Sequence, residues 1–104
     1  MINLEPIEIA GHLFNGVKVV LPKTTLLVVS GQKSYIMCGA LDVRLLNEQL
    51  ADRQILAGKA QGVRTLEQLL DAPLAEITLA AKQLGVTEGM SGRDALLKMD
   101  SSFI

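Results

Sequence analysis

Four residues carry what chemistry this sequence could perform: Cys38, Arg64, Thr65 and Arg93. Cys38 closes the apolar run Tyr35-Ile36-Met37 and precedes Gly39-Ala40-Leu41, one turn before a helix start at Asp42-Val43. A thiol close to a helix N-terminus can have its thiolate favoured by exposed N–H groups and the helix dipole, which makes Cys38 a candidate nucleophile. The structural expectation stands beside it, because a free cysteine is among the most buried residue types and packs as a small hydrophobe. Arg64-Thr65 opens a helix, where a guanidinium and unpaired N–H groups could hold a carboxylate or phosphate. The same pair also reads as a helix cap with a surface ion pair. Arg93, in Gly89-Met90-Ser91-Gly92-Arg93-Asp94, is a second candidate anion-binding residue.

Several familiar motifs are approached but not completed. Gly58-Lys59-Ala60-Gln61-Gly62-Val63-Arg64-Thr65 has the glycines and lysine of a phosphate loop, yet Lys59 is followed by Ala60 instead of the hydroxyl residue that would meet Mg²⁺. Ser91 lacks the second glycine of a nucleophile elbow and reads as a helix N-cap. His12 is the only histidine and Cys38 the only cysteine, so a multi-His metal site, an internal disulfide and a Cys-rich zinc module are all excluded, and no cofactor is implied. His12, beside Gly11, reads as an exposed turn residue.

The elements that must position these residues follow from pattern. The chain has 104 residues, a formal net charge of −1, 49% hydrophobic and 20% charged residues, and a mean hydropathy of +0.34. These values fit one folded domain over 1–104 and argue against disorder. A near-neutral balance and three aromatics leave no basis for nucleic-acid binding, and Lys18, Lys23 and Lys33 read as a solvated rim. No basic-plus-apolar leader and no run near 18 apolar residues is present, so neither secretion nor membrane spanning is expected. With one cysteine, a reducing cytoplasm is the expected compartment.

Residues 1–41 are β-rich: Ile7-Glu8-Ile9, Gly16–Leu21, Leu26–Val29 and Tyr35–Cys38 predict four short strands in an antiparallel meander. From Asp42 the period shifts to helical. Val43, Leu46 and Leu50, widened by Leu45, predict a helix capped by Asp42. A fifth strand is expected near 55–63, then a helix from Thr65 to Asp71 opened by a Thr65/Gln68 capping box, a helix between Pro73 and Gly85, and a last helix led by Ser91. The fold class is therefore α+β, a meander of about four strands plus a later fifth packed against three to four helices.

Charge divides unevenly, with six charged side chains in residues 1–42 and fifteen in 43–104. A sheet with one wet face alternates apolar and polar residues, but Val19-Val20-Leu21 and Leu26-Leu27-Val28-Val29 are apolar on both faces. The helices of so small a chain can cover one face. The other is expected to be covered by another copy, through the 1–41 region.

The runs Leu21-Pro22-Lys23-Thr24, Tyr35-Ile36-Met37-Cys38-Gly39-Ala40-Leu41-Asp42, Gly62-Val63-Arg64-Thr65, Leu69-Leu70-Asp71-Ala72-Pro73 and Gly89-Met90-Ser91-Gly92-Arg93-Asp94-Ala95-Leu96 resemble the YunC-like family, from about Asn3 to Lys98. That small bacterial and archaeal domain has no assigned function. The resemblance implies a homotetramer formed through roughly the first third of the chain, and brings with it no reaction, substrate or cofactor. Self-association is thus the leading expectation. The alternatives are a small enzyme using Cys38 as nucleophile on an anionic metabolite, and a small-anion or metabolite-binding module using Arg64 and Arg93.

Overall fold

A computed structural model describes residues 1–39, 41–49 and 51–100, with no account of the Ala51 side chain. Six strands form one sheet in sequence order: β1 (Ile2–Ile9), β2 (His12–Leu21), β3 (Thr24–Ser30), β4 (Ser34–Met37), β5 (Leu56–Lys59) and β6 (Glu76–Ile77). Every neighbouring pair is antiparallel except β4 and β5, which run parallel and are therefore joined by a crossover through helix α1 (Val43–Glu48) and a 3-10 turn (Ala51–Arg53). Helices α2 (Leu66–Asp71), α3 (Leu79–Gln83) and α4 (Gly92–Asp100) follow. The α+β meander is the expected architecture. Its first two strands are longer than composition alone suggests, because Ala10 and Gly11 both take positive φ, the turn that lets a two-residue hairpin follow the strand twist.

Two elements depart from expectation. The fifth strand ends at Lys59, and Gly62 (φ 75°) turns the chain toward α2. The helix expected between Pro73 and Gly85 is shorter: Ile77 pairs with Gly58 in β6, and the Thr78 hydroxyl accepts from the Ala81 N–H, so helix begins only at Leu79. The Leu50 position of the first helical stripe lies outside the described residues.

Register sorts the side chains into two faces. On one, Phe14, Gly16, Leu27, Val29, Ile36 and Gly58 meet α2 and α4, whose Leu69, Leu70, Ala95, Leu96 and Met99 are buried against them. Gly92 makes this layer possible. A Cβ there would lie 2.5 Å from the Leu69 carbonyl oxygen and from Ile36 Cδ1, so α4 crosses α2 and β4 at a distance only glycine permits.

The opposite face is covered only at its far side. Ala57 of β5 belongs to this face by register and is fully buried, and α1, which packs on β5, buries Val43 and Leu46. Over β1 to β4 the register sets Leu4, Val17, Val28 and Met37 in one cross-strand row and Ile2, Val19 and Leu26 in the next. The helices packed on β2, β3 and β4 are α2 and α4, on the other side.

Candidate functional site

Each residue singled out by chemistry has a definite place. Cys38 follows β4 and is buried, 7% exposed; its Sγ accepts from the Leu27 N–H at 3.5 Å, and its own N–H donates to the Leu27 carbonyl at 3.0 Å. The thiol thus sits against β3, inside the main core. Asp42 caps α1, accepting from the Leu45 N–H at 3.0 Å. Thr65 caps α2, its Oγ1 accepting from the Gln68 N–H at 3.0 Å, while the Gln68 side chain reaches back one residue further than a standard capping box, to the Arg64 N–H at 2.8 Å. Two N–H groups that an anion would need at this helix start are therefore occupied by the chain itself. Ser91 caps α4, accepting from the Asp94 N–H at 3.2 Å.

Arg93 donates to Asp71 at 3.0 Å, joining the start of α4 to the end of α2. Arg64 stands exposed at the other end of α2, one short helix away, about 10 Å along the axis at 1.5 Å per residue. The two arginines are set apart by that helix, and Cys38 lies beneath the surface between the sheet and its helices. His12 is the exposed first residue of β2.

Three clefts among the described residues bear on a candidate site. A groove of about 690 Å³ lies between the β1–β2 hairpin and the start of α2, lined by Asn3, Glu5, Lys18, Thr65 and Glu67 among others. A second, of about 250 Å³, holds Arg44, Asn47 and Glu48 of α1 beside Glu76 and Lys82. A third, of about 130 Å³, lies between α1 and α3. None of the three is lined by Cys38, Arg64 or Arg93. Among the described residues there is no group of three or more His, Cys, Asp or Glu placed to hold a metal ion, and no helix long and apolar enough to cross a membrane.

The broadest unexplained feature is the open sheet face. Leu4 is 75% exposed, Leu13 69% and Ile2 66%, while Val17, Val19, Leu26, Val28 and Met37 are half-buried, Leu26 and Met37 by packing against the main core. Tyr35 shares this face through its register with Ser30, and partial burial raises its phenol above the ordinary value. Over β1 to β4 the two principal rows contain no charged residue, and the first continues past Met37 to Lys59 of β5 and Glu76 of β6, which pair with each other at 3.2 Å. Sequence reading located the greasy strands at β2 and β3 but missed Ile2 and Leu4, although their alternation with Asn3 and Glu5 is the signal that would have placed them on the same face.

A family model described as a domain of unknown function (DUF1805) matches residues 37–99. The chain is 61% identical over 99 residues to the uncharacterized protein YunC of Bacillus subtilis, covering 95% of this chain and 98% of that one. Its fold is similar to the crystal structure of a protein of unknown function from Thermoplasma acidophilum, with a TM-score of 0.84 and 31% identity over 95% of this chain and 93% of the other.

Proposed function

The chain belongs to the DUF1805 family, YunC-like proteins of unknown function, and from that premise we propose that its sheet is an assembly surface through which copies of the chain associate. The observation that carries this reading is the pair of apolar rows on β1 to β4, on the side of the sheet away from α2 and α4, the helices that pack on β2, β3 and β4 among the described residues. Water against that face costs free energy in proportion to apolar area, and a contiguous apolar patch of this kind marks an interaction site on a soluble protein. Because the rows hold no charge, like can pack on like without burying an unpaired ion. Strands of eight, ten, seven and four residues, spaced about 4.8 Å apart and rising about 3.3 Å per residue, give roughly 450 Å² in projection, a little over half of the ~800 Å² that each partner buries in a standard interface.

The assembly is a homotetramer in this reading, two face-to-face pairs joined by a second two-fold contact, as closed symmetry requires. It resides in the cytoplasm, where the lone thiol stays reduced. Cys38, Arg64, Thr65 and Arg93 act in folding: one fills the core and the others begin, cap or tie helices.

Sedimentation at micromolar concentration tests the reading. The wild-type chain is expected as a multiple of 11.2 kDa, and Val28→Lys, which sets a charge in the middle of one row, is expected as an 11.2 kDa monomer that keeps its secondary structure. A wild-type species of 11.2 kDa would overturn it.

A further inference from the structure

The open face has a wall along one side. Helix α1 packs on β5, whose fully buried Ala57 belongs to the open face by register, which sets α1 on the side opposite α2 and α4, and its two flanks point in different directions. Arg44, Asn47 and Glu48 share a cleft with Glu76 of β6 and Lys82 of α3, so that flank looks toward β6. Val43 and Leu46 point down into the sheet. At 100° per residue Leu45 falls on the remaining flank, which looks across β4 and the open rows, and its side chain is 40% exposed. The assembly surface is thus a step: an apolar floor from β1 to β4, and a helical wall with an exposed leucine beyond it.

A step constrains how two identical faces can meet. Sheets pack face to face about 10 Å apart, and a helix with its side chains is about 10 Å thick. If two copies met with β1 over β1, the wall of each would stand on the wall of the other, and the floors would be held roughly 20 Å apart with nothing between them. If the two-fold axis runs along the strands, between β2 and β3, each wall stands beyond the β1 edge of the other copy and the floors close. We infer that copies dock with β1 of one over β4 of the other, so that Leu45 of each packs against Leu4 and Ile2 at the β1 edge of its partner. This rests on the face being the assembly surface and adds the orientation and a contact from outside the β-rich region. The same arrangement shields the β1 edge, the outer edge of the sheet among the described residues.

The test is cross-linking between Leu4→Cys and Leu45→Cys, with assembly of each variant checked under reducing conditions by sedimentation. A short bis-maleimide applied to an equimolar mixture of the two variants, after subunit exchange, is expected to give a covalent dimer on a denaturing gel. Each variant alone is expected to give roughly tenfold less, since the two-fold brings position 4 to position 45 and not to itself. Cys38 is present throughout, and the wild-type chain sets its background. Efficient cross-linking of Leu4→Cys alone would place β1 over β1 and overturn the orientation, as would assembled variants that yield no 4-to-45 product. Wild-type monomers would instead remove the assembly surface itself, and the orientation with it. As a second readout, Leu45→Arg is expected to weaken association by roughly tenfold or more, the loss typical of a well-packed contact; an unchanged association constant would exclude the wall from the interface.

Discussion

At the scale of single residues, the position with most structural work to do is Asp100, the last residue of α4. Its carboxylate accepts from the Gln32 N–H at 3.0 Å, from the Lys33 N–H at 3.4 Å and from the buried Ser34 hydroxyl at 2.5 Å, fastening the last turn of the chain's final helix to the β3–β4 turn. Gly31 leaves room for it, since a Cβ there would run into the carboxylate. Hydrogen bonds to a charged acceptor contribute about 1.5–3 kcal/mol, and a buried donor left without a partner costs its desolvation in full. Asp100→Ala is therefore expected to destabilise the fold by about 2–3 kcal/mol, with Asp100→Asn losing less. Urea unfolding at fixed protein concentration measures it, and a midpoint unchanged from wild type would show that the clamp contributes nothing. Cys38 illustrates the opposite case. Its neighbours in sequence, a strand end, a glycine and a capped helix, are those a reactive thiol needs, but Ile36-Met37-Cys38 continues the core-facing alternation of β4 and the thiol is buried by it. What decides between the two readings is exposure, and exposure depends on Leu27 of β3, eleven residues earlier in the chain.

At the scale of elements, the strands and caps were legible because their causes are local. Asp42, Thr65 and Ser91 each cap the helix their sequence promised, and the greasy strands are short β-branched runs bounded by turn residues. The segment from Leu74 to Leu84 was not legible. Its apolar spacing satisfies a helix, yet Ile77 is claimed by Gly58, a partner nineteen residues away, and the cap at Thr78 delays the helix. Long-range pairing overrides local period there. The β1 edge carries its own local device. Met1 and Val20 exchange backbone hydrogen bonds, so odd positions of β1 bond to β2 and even positions turn their backbone outward. Pro6 is even, and the missing N–H falls on the outer edge, where it prevents another strand from adding. Pro6→Val restores that donor. Heating the variant at micromolar concentration is expected to bring earlier light scattering than in wild type, with unfolding by circular dichroism at the same temperature or above. Scattering that matches wild type would mean that the missing donor at Pro6 adds nothing to the shielding a docked copy gives this edge.

At the scale of the whole molecule, the distribution of charge and grease becomes one statement about association. The charged residues cluster in the second half of the chain and pair there, Arg44 with Glu48, Lys82 with Glu88 and Arg93 with Asp71 on or beside the helices and Lys59 with Glu76 on β5 and β6, while the open rows carry none over β1 to β4. Surface pairs of this kind contribute about 0–1 kcal/mol each and are screened by salt, with a Debye length near 10 Å at 0.1 M falling to about 3 Å at 1 M. An interface built from the open rows has no such pairs to lose, and salts excluded from protein surfaces strengthen apolar burial. Association is therefore expected to hold or tighten between 0.05 M and 1 M sodium chloride, to tighten further in sulfate, and to weaken on cooling as the hydrophobic term fades. Sedimentation equilibrium across that series reads all three trends. Dissociation by salt would mean that the copies are held by the charged helical half, through pairs exchanged between chains, and that the apolar face lies elsewhere than at the contact.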